Sequence, residues 1–144
     1  MKLEEILDTW KKDAKIDDAA LDRESLRVPE LHHKYLKIYV SENLLFKKMT
    51  SDHSILVLSK QEYYSGKMCQ EDLDAKGWAP FPHRVIKQDI PPYIDADSDI
   101  IQSRLKLDYQ KEKIETLKSI LSTINNRSFH ITNAIKWNQF LSGV

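Results

Sequence analysis

The sequence predicts an all-α protein built from long antiparallel helices. Three observations carry that expectation. The 144 residues hold only 3 Gly and 5 Pro, most of them in the middle third, so long stretches run without a helix breaker. Apolar residues recur at helical rather than strand period over most of the length. Charged residues make up 31% and hydrophobic ones 41%, a balance that suits amphipathic helices and not a disordered chain.

The elements follow in order. Leu3, Ile6, Leu7 and Trp10 fall on one face of a short helix over residues 2–14. Asp17-Asp18 then offers an N-cap for a second short helix carrying Ala20, Leu21 and Leu26. Pro29 suits the first turn of the next helix, where a missing N–H costs nothing. From Glu30 to Tyr64 there is no Gly or Pro, and Leu31, Tyr35, Leu36, Ile38, Leu45 and Met49 hold helical period. Ser51-Asp52 leaves open whether this is one helix or two, because a polar pair can cap a new segment. Tyr63-Tyr64-Ser65-Gly66 reads as its end, since Gly takes the left-handed conformation without a Cβ clash.

Residues 65–94 read as a loop-rich centre, with Trp78 and Phe81 pinning an aromatic-proline turn onto the helices. Pro91-Pro92 suggests extended chain before Asp95-Ala96-Asp97-Ser98-Asp99 starts another long helix from about residue 97 to 126. Along it Ile100, Leu107, Ile114 and Leu121 repeat every seven residues, with Leu117 and Ile124 between them, a heptad seam. Asn125-Asn126-Arg127 breaks that helix, and Ser128 is placed to cap a last one. Phe129, Ile131, Ile135, Trp137, Phe140 and Leu141 make this final helix apolar around most of its circumference, a core element or an oligomer interface. The expected division is an N-terminal helical region, residues 1–94, and a C-terminal oligomerisation region, residues 95–144, within one structural domain.

Composition narrows the function. The formal net charge is +0, yet residues 1–30 carry 6 Lys/Arg against 9 Asp/Glu, while residues 103–136 carry 7 against 3. Unlike surfaces of this kind suit subunit contacts or an anionic partner. A single cysteine, Cys69, excludes an internal disulfide and any multi-cysteine zinc site. No apolar run approaches the roughly 20 residues that span a bilayer, and a cytoplasmic setting follows. The five His show no metal-ligand spacing, and no phosphate loop or nucleophile motif occurs, so neither metal nor cofactor is expected and the chain does not read as an enzyme.

What remains is binding. Lys47, Lys48, Lys60, Lys67, Lys76, Arg84 and Lys87 flank Tyr63-Tyr64, the lysine-plus-aromatic mixture that sequence-tolerant binding of single-stranded DNA requires. Tyr63 and Tyr64 either stack bases or close the core at the helix end. Glu62, Glu71, Asp72 and Asp74 dilute the patch, so several copies on one oligomer are needed for tight binding. Ile114, Leu117, Leu121, Ile124, Phe129, Ile135, Trp137 and Phe140 are the candidate assembly residues.

Lys11-Lys12-Asp13 with Ile16-Asp17 and Leu21, the Tyr63-Tyr64-Ser65-Gly66-Lys67 corner, and the block from Tyr109 to Gly143 with Ile124-Asn125-Asn126-Arg127 and Phe129 together resemble the UvsY-type recombination mediators of T4-like bacteriophages. The resemblance covers nearly the whole chain. It implies a ring-shaped homo-oligomer, hexamer or heptamer, assembled through its C-terminal part in the cytoplasm of the infected bacterial host. It further implies single-stranded DNA, a RecA-like phage recombinase and a phage single-strand-binding protein as partners, with the recombinase loaded onto coated strands. In that family DNA binding is assigned to basic side chains before and around the tyrosine pair, which Lys60 and Lys67 match. Leu58 departs, being apolar where family members can carry a second basic residue; Lys47, Lys48, Arg84 and Lys87 would then share the load. A helical adaptor that binds only proteins is the alternative from another class.

Overall fold

A computed structural model describes residues 1–143, and every element in it is helical. The elements are α1 (Leu3–Asp13), α2 (Leu21–Tyr64), α3 (Gln70–Lys76), a 3-10 turn at Lys87–Asp89, α4 (Ile90–Asp95), α5 (Ser98–Asn125) and α6 (Arg127–Leu141). The residues group into two compact units, Met1–Leu44 with Gln110–Val144, and Leu45–Tyr109. Both α2 and α5 contribute to each unit.

The first unit is closed by aliphatic side chains around two rings. Ile6 from α1, Leu31 and Tyr35 from α2, and Leu117, Ile120 and Ile124 from α5 form its core, with Trp10, Val28, Ile38, Tyr39 and Leu121 packed against them. The Trp10 and Tyr35 rings meet edge to face, centroids 5.4 Å apart. The register is antiparallel: Leu31 and Tyr35 meet the 117–124 stretch, while Glu42 takes hydrogen bonds from Gln110.

Polar groups lock this core. Asp13 at the end of α1 accepts from Arg27 (3.0 Å), Lys34 (2.6 Å) and the Tyr35 hydroxyl (2.9 Å). Arg127, 3% exposed, sends its guanidinium to the carbonyls of Asp13, Ala14 and Lys15 and to the Glu24 carboxylate at 2.6 Å. The last carbonyl of α1 and the two that follow it are thereby satisfied by one side chain.

Several expectations change here. Residues 21–64 are a single helix, so Pro29 lies inside it rather than starting it. The missing Pro29 N–H leaves the Ser25 carbonyl without a helical donor, but both residues face solvent, where water supplies one. Burial of Leu21, Glu24 and Leu31 on the inner face carries the helix through the proline. Ser51-Asp52 does not interrupt it either: Thr50, Ser51 and Ser54 return their hydroxyls to the carbonyls of Phe46, Lys47 and Thr50, four residues back. Pro91-Pro92 is not extended; the two prolines occupy the first turn of α4, where their absent donors are not missed. Ser128 lies inside α6, whose N-cap position is Asn126.

The heptad seam is also reassigned. Leu117 (0% exposed) and Ile124 (0%) belong to the chain's own core with Leu121 packed beside them, and Ile114 (4%) is buried as well, so the seam is covered within the chain. The outer positions of α6 remain open: Phe129, Ile135, Trp137, Phe140 and Leu141 are all exposed, and Trp137 and Phe140 stack on each other at 5.4 Å.

Candidate nucleic-acid interface

The second unit is organised around the end of α2. There the Lys67 N–H bonds the Glu62 carbonyl (3.1 Å) and the Gly66 N–H bonds the Tyr63 carbonyl (3.2 Å), with Gly66 at φ 75°. This is the Schellman closure that a left-handed glycine makes available. It stops the helix and throws Lys67 outward on a fixed corner.

Behind that corner the aromatics condense into one cluster. Tyr63 meets Trp78 (5.4 Å) and Phe81 (5.8 Å); Tyr64 meets Phe81 (4.9 Å) and Tyr93 (5.6 Å). The Tyr63 hydroxyl donates to the Ala79 carbonyl (2.5 Å), and the Tyr64 hydroxyl donates to Asp97 (2.6 Å). Both rings are half-buried with their polar tips engaged, so they close the end of the helix rather than stand free for base stacking. Trp78 and Phe81 pin the turn as expected. A second glycine closure, Gly77 at φ 69°, ends α3 and delivers Trp78 to the cluster.

Lys60 differs most from its expected role. It is 4% exposed. Its ammonium lies 3.1 Å from Asp97 and 2.9 Å from Asp99, and 3.9 Å from the centre of the Trp78 ring. An ammonium so enclosed does not reach a phosphate from this position, a correction to its reading as a strand contact. Asp97 is held by more than the lysine: its other oxygen accepts the N–H groups of Asp99 (2.9 Å) and Ile100 (3.2 Å), capping α5. Burial alone would raise this carboxyl, but the hydrogen bonds from Tyr64 and Lys60, the Ile100 N–H and the lysine charge together draw it below its ordinary value. Burial, then the bond to Asp97, pushes the Tyr64 phenol up, so it stays a donor.

The remaining basic candidates do face outward: Lys47, Lys48, Lys67, Arg84 and Lys87 are all exposed. Lys67 and Lys87 flank a groove of about 680 Å³ whose apolar lining includes Leu58, Val85, Ile90 and Ile94, with Glu62 also at its edge. Ile90, Ile94 and Ile100 form the small core of this unit, with Leu56, Val57, Tyr64 and Val85 packed on it. Two participants were not singled out from sequence as part of the corner, Asp97 and Asp99, whose carboxylates read there only as helix caps. Among the described residues no cluster of His, Cys, Asp or Glu has metal-binding geometry, and no helix is long and apolar enough to cross a membrane.

Residues 9–144 match the family described as "Recombination, repair and ssDNA binding protein UvsY". The chain belongs to the UvsY family. It is 22% identical over 143 residues to recombination protein uvsY of Enterobacteria phage T4, a match covering 99% of both chains. The fold agrees with crystal structures of the bacteriophage T4 recombination mediator protein UvsY. One lattice form gives a TM-score of 0.85 at 21% identity over 97% of this chain and 99% of that one. A second gives 0.84 at 22% identity over 99% and 98%. The all-helical UvsY fold is therefore shared, while the corner chemistry above is described on this chain's own residues.

Proposed function

We propose that this UvsY-family chain is a non-enzymatic recombination mediator. It binds single-stranded DNA and promotes loading of a RecA-like phage recombinase onto strands coated by single-strand-binding protein. It works as a ring-shaped homo-oligomer, hexamer or heptamer, in the cytoplasm of the infected bacterium. The observation that carries the reading is the outward set Lys47, Lys48, Lys67, Arg84 and Lys87 on a unit whose helix end is fixed by the glycine closure and the aromatic cluster.

Exposed lysines on a fixed frame exchange condensed counterions for protein charge, which gives strand binding without sequence preference. Nearby carboxylates keep each copy weak, so effective concentration across several copies supplies the affinity. The bare apolar side of α6, with Phe129, Ile135, Trp137 and Phe140, supports self-assembly. A strand held along several copies is presented to recombinase while its coat protein is displaced.

The test is single-stranded DNA binding over a salt series, on a sample whose mass is read by light scattering. Strong salt dependence in an oligomer is the expected result. A stable oligomer without DNA affinity would instead favour the protein-only adaptor.

A further inference from the structure

Lys60 sits at the junction of everything that fixes the corner. It leaves α2 one turn before Tyr64, meets both carboxylates at the start of α5, and underlies Trp78 from the turn that leads to Arg84. No other cation among the described residues ion-pairs with Asp97 or Asp99. Asp97 is 9% exposed, whereas the side chain of Asp99 is half exposed. Deleting the ammonium therefore leaves two like charges close together, one of them open to solvent on the unit that carries the outward cations. It also removes the nearer of two cations on the Trp78 ring, Lys76 being the other at 5.3 Å, so the turn carrying Arg84 loses one of its attachments.

Resting on the single-stranded-DNA reading above, we infer that Lys60 is a positioning residue of the DNA interface. It neutralises Asp97 and Asp99 and fixes the Trp78 turn, and it makes no phosphate contact itself. The phosphate contacts belong to the outward cations, Lys67 foremost. This role makes the interface depend on a lysine in a way that simple substitution cannot tell from direct binding, because both kinds of lysine weaken binding when removed. Charge bookkeeping separates them. A phosphate ligand is not replaced by removing carboxylates elsewhere, whereas a neutralising lysine becomes dispensable once the carboxylates it serves are gone.

The experiment compares four full-length chains by single-stranded DNA binding across a salt series, with circular dichroism melts as a folding control. They are the unsubstituted protein, Lys67→Ala, Lys60→Met, and the triple variant Lys60→Met/Asp97→Asn/Asp99→Asn. Asparagine keeps the side-chain oxygen that caps α5, so the triple variant retains that helix start. Lys67→Ala is expected to lower the slope of log affinity against log salt by about 0.7, one single-strand phosphate contact. Lys60→Met is expected to weaken binding about tenfold with the slope unchanged, and the triple variant to return within about threefold of the unsubstituted protein.

A triple variant that stays as weak as Lys60→Met, with a slope lowered by about 0.7, would make Lys60 a phosphate ligand and overturn the inference. Unsubstituted binding by Lys60→Met itself would equally overturn it. If Lys60→Met does not fold, the triple variant decides alone by the same two readouts. Salt-dependent binding by the unsubstituted protein and its lowered slope in Lys67→Ala test the DNA reading separately, so that reading survives a failure confined to Lys60.

Discussion

Each unit buries cations, and two of them, Arg127 and Lys60, are used differently. In the first, Arg127 makes four hydrogen bonds from its two terminal guanidinium nitrogens to three backbone carbonyls and one carboxylate, tying the end of α1 to the start of α6. In the second, Lys60 is a single charge between two carboxylates and an indole face. A planar guanidinium suits a fan of carbonyls, while a compact ammonium suits opposed charges and a ring. The lesson is that a basic residue in a chain of this kind is no guide to an anionic partner until its depth is known.

The comparison breaks most severely at Arg127. Arg127→Ala leaves buried Glu24 with only its 3.6 Å pairing to Arg27 and takes the donor from three carbonyls, and a loss of about 3–5 kcal/mol is expected in denaturant unfolding. Arg127→Lys should recover little, because an ammonium cannot reproduce the fork. Next comes the aliphatic core that has no counterpart of similar size in the second unit: Leu117→Ala should cost about 2–5 kcal/mol, measured the same way. Gly66→Ala is smaller, about 1 kcal/mol from forcing a Cβ into φ 75°, with no clash to add because nothing lies within 4 Å.

Acid tests both units at once. Asp13 and Glu42 in the first and Asp97 in the second are all drawn below their ordinary values despite burial, by the hydrogen bonds and cations around them. The unfolded chain therefore takes up protons before the folded one. Their contribution is complete above the unfolded value of about 4 and is lost as pH falls below it, so melts should drop steeply only in that window. The least effect on stability is expected at Lys67→Ala, within about 0.5 kcal/mol, in contrast to its effect on strand binding.

Much of the fold was legible. The apolar period foretold α1, most of α2, α5 and α6, and the glycine at residue 66 marked the corner. The merging of residues 21–64 into one helix was not legible, because propensity places Pro29 at a start and only the buried face of Leu21, Glu24 and Leu31 overrides it. The heptad seam is apolar as its period implies, and much of it is covered within the chain; periodicity says that a stripe is covered, not by what. At the candidate site the outward lysines were foreseen, but Lys60 was not recognised as buried. The signal was present: Leu56, Val57, Lys60 and Tyr64 share one helical face by their spacing, which places the lysine among core residues. Its counter-charges lie more than thirty positions away, beyond the reach of local pattern.

The uncovered side of α6 also bears on how the protein is made. Phe129 (69% exposed), Phe140 (71%) and Trp137 (58%) lie along α6 and stand free of the core. A newly released copy has folded its interior yet still shows a sticky ridge to every other surface in the cell. Under the proposed self-assembly, contact with its own kind has to outpace adsorption elsewhere, which ties yield to the local abundance of the polypeptide. Sparse expression should favour losses to membranes and chaperones, and abundant expression the proposed oligomer.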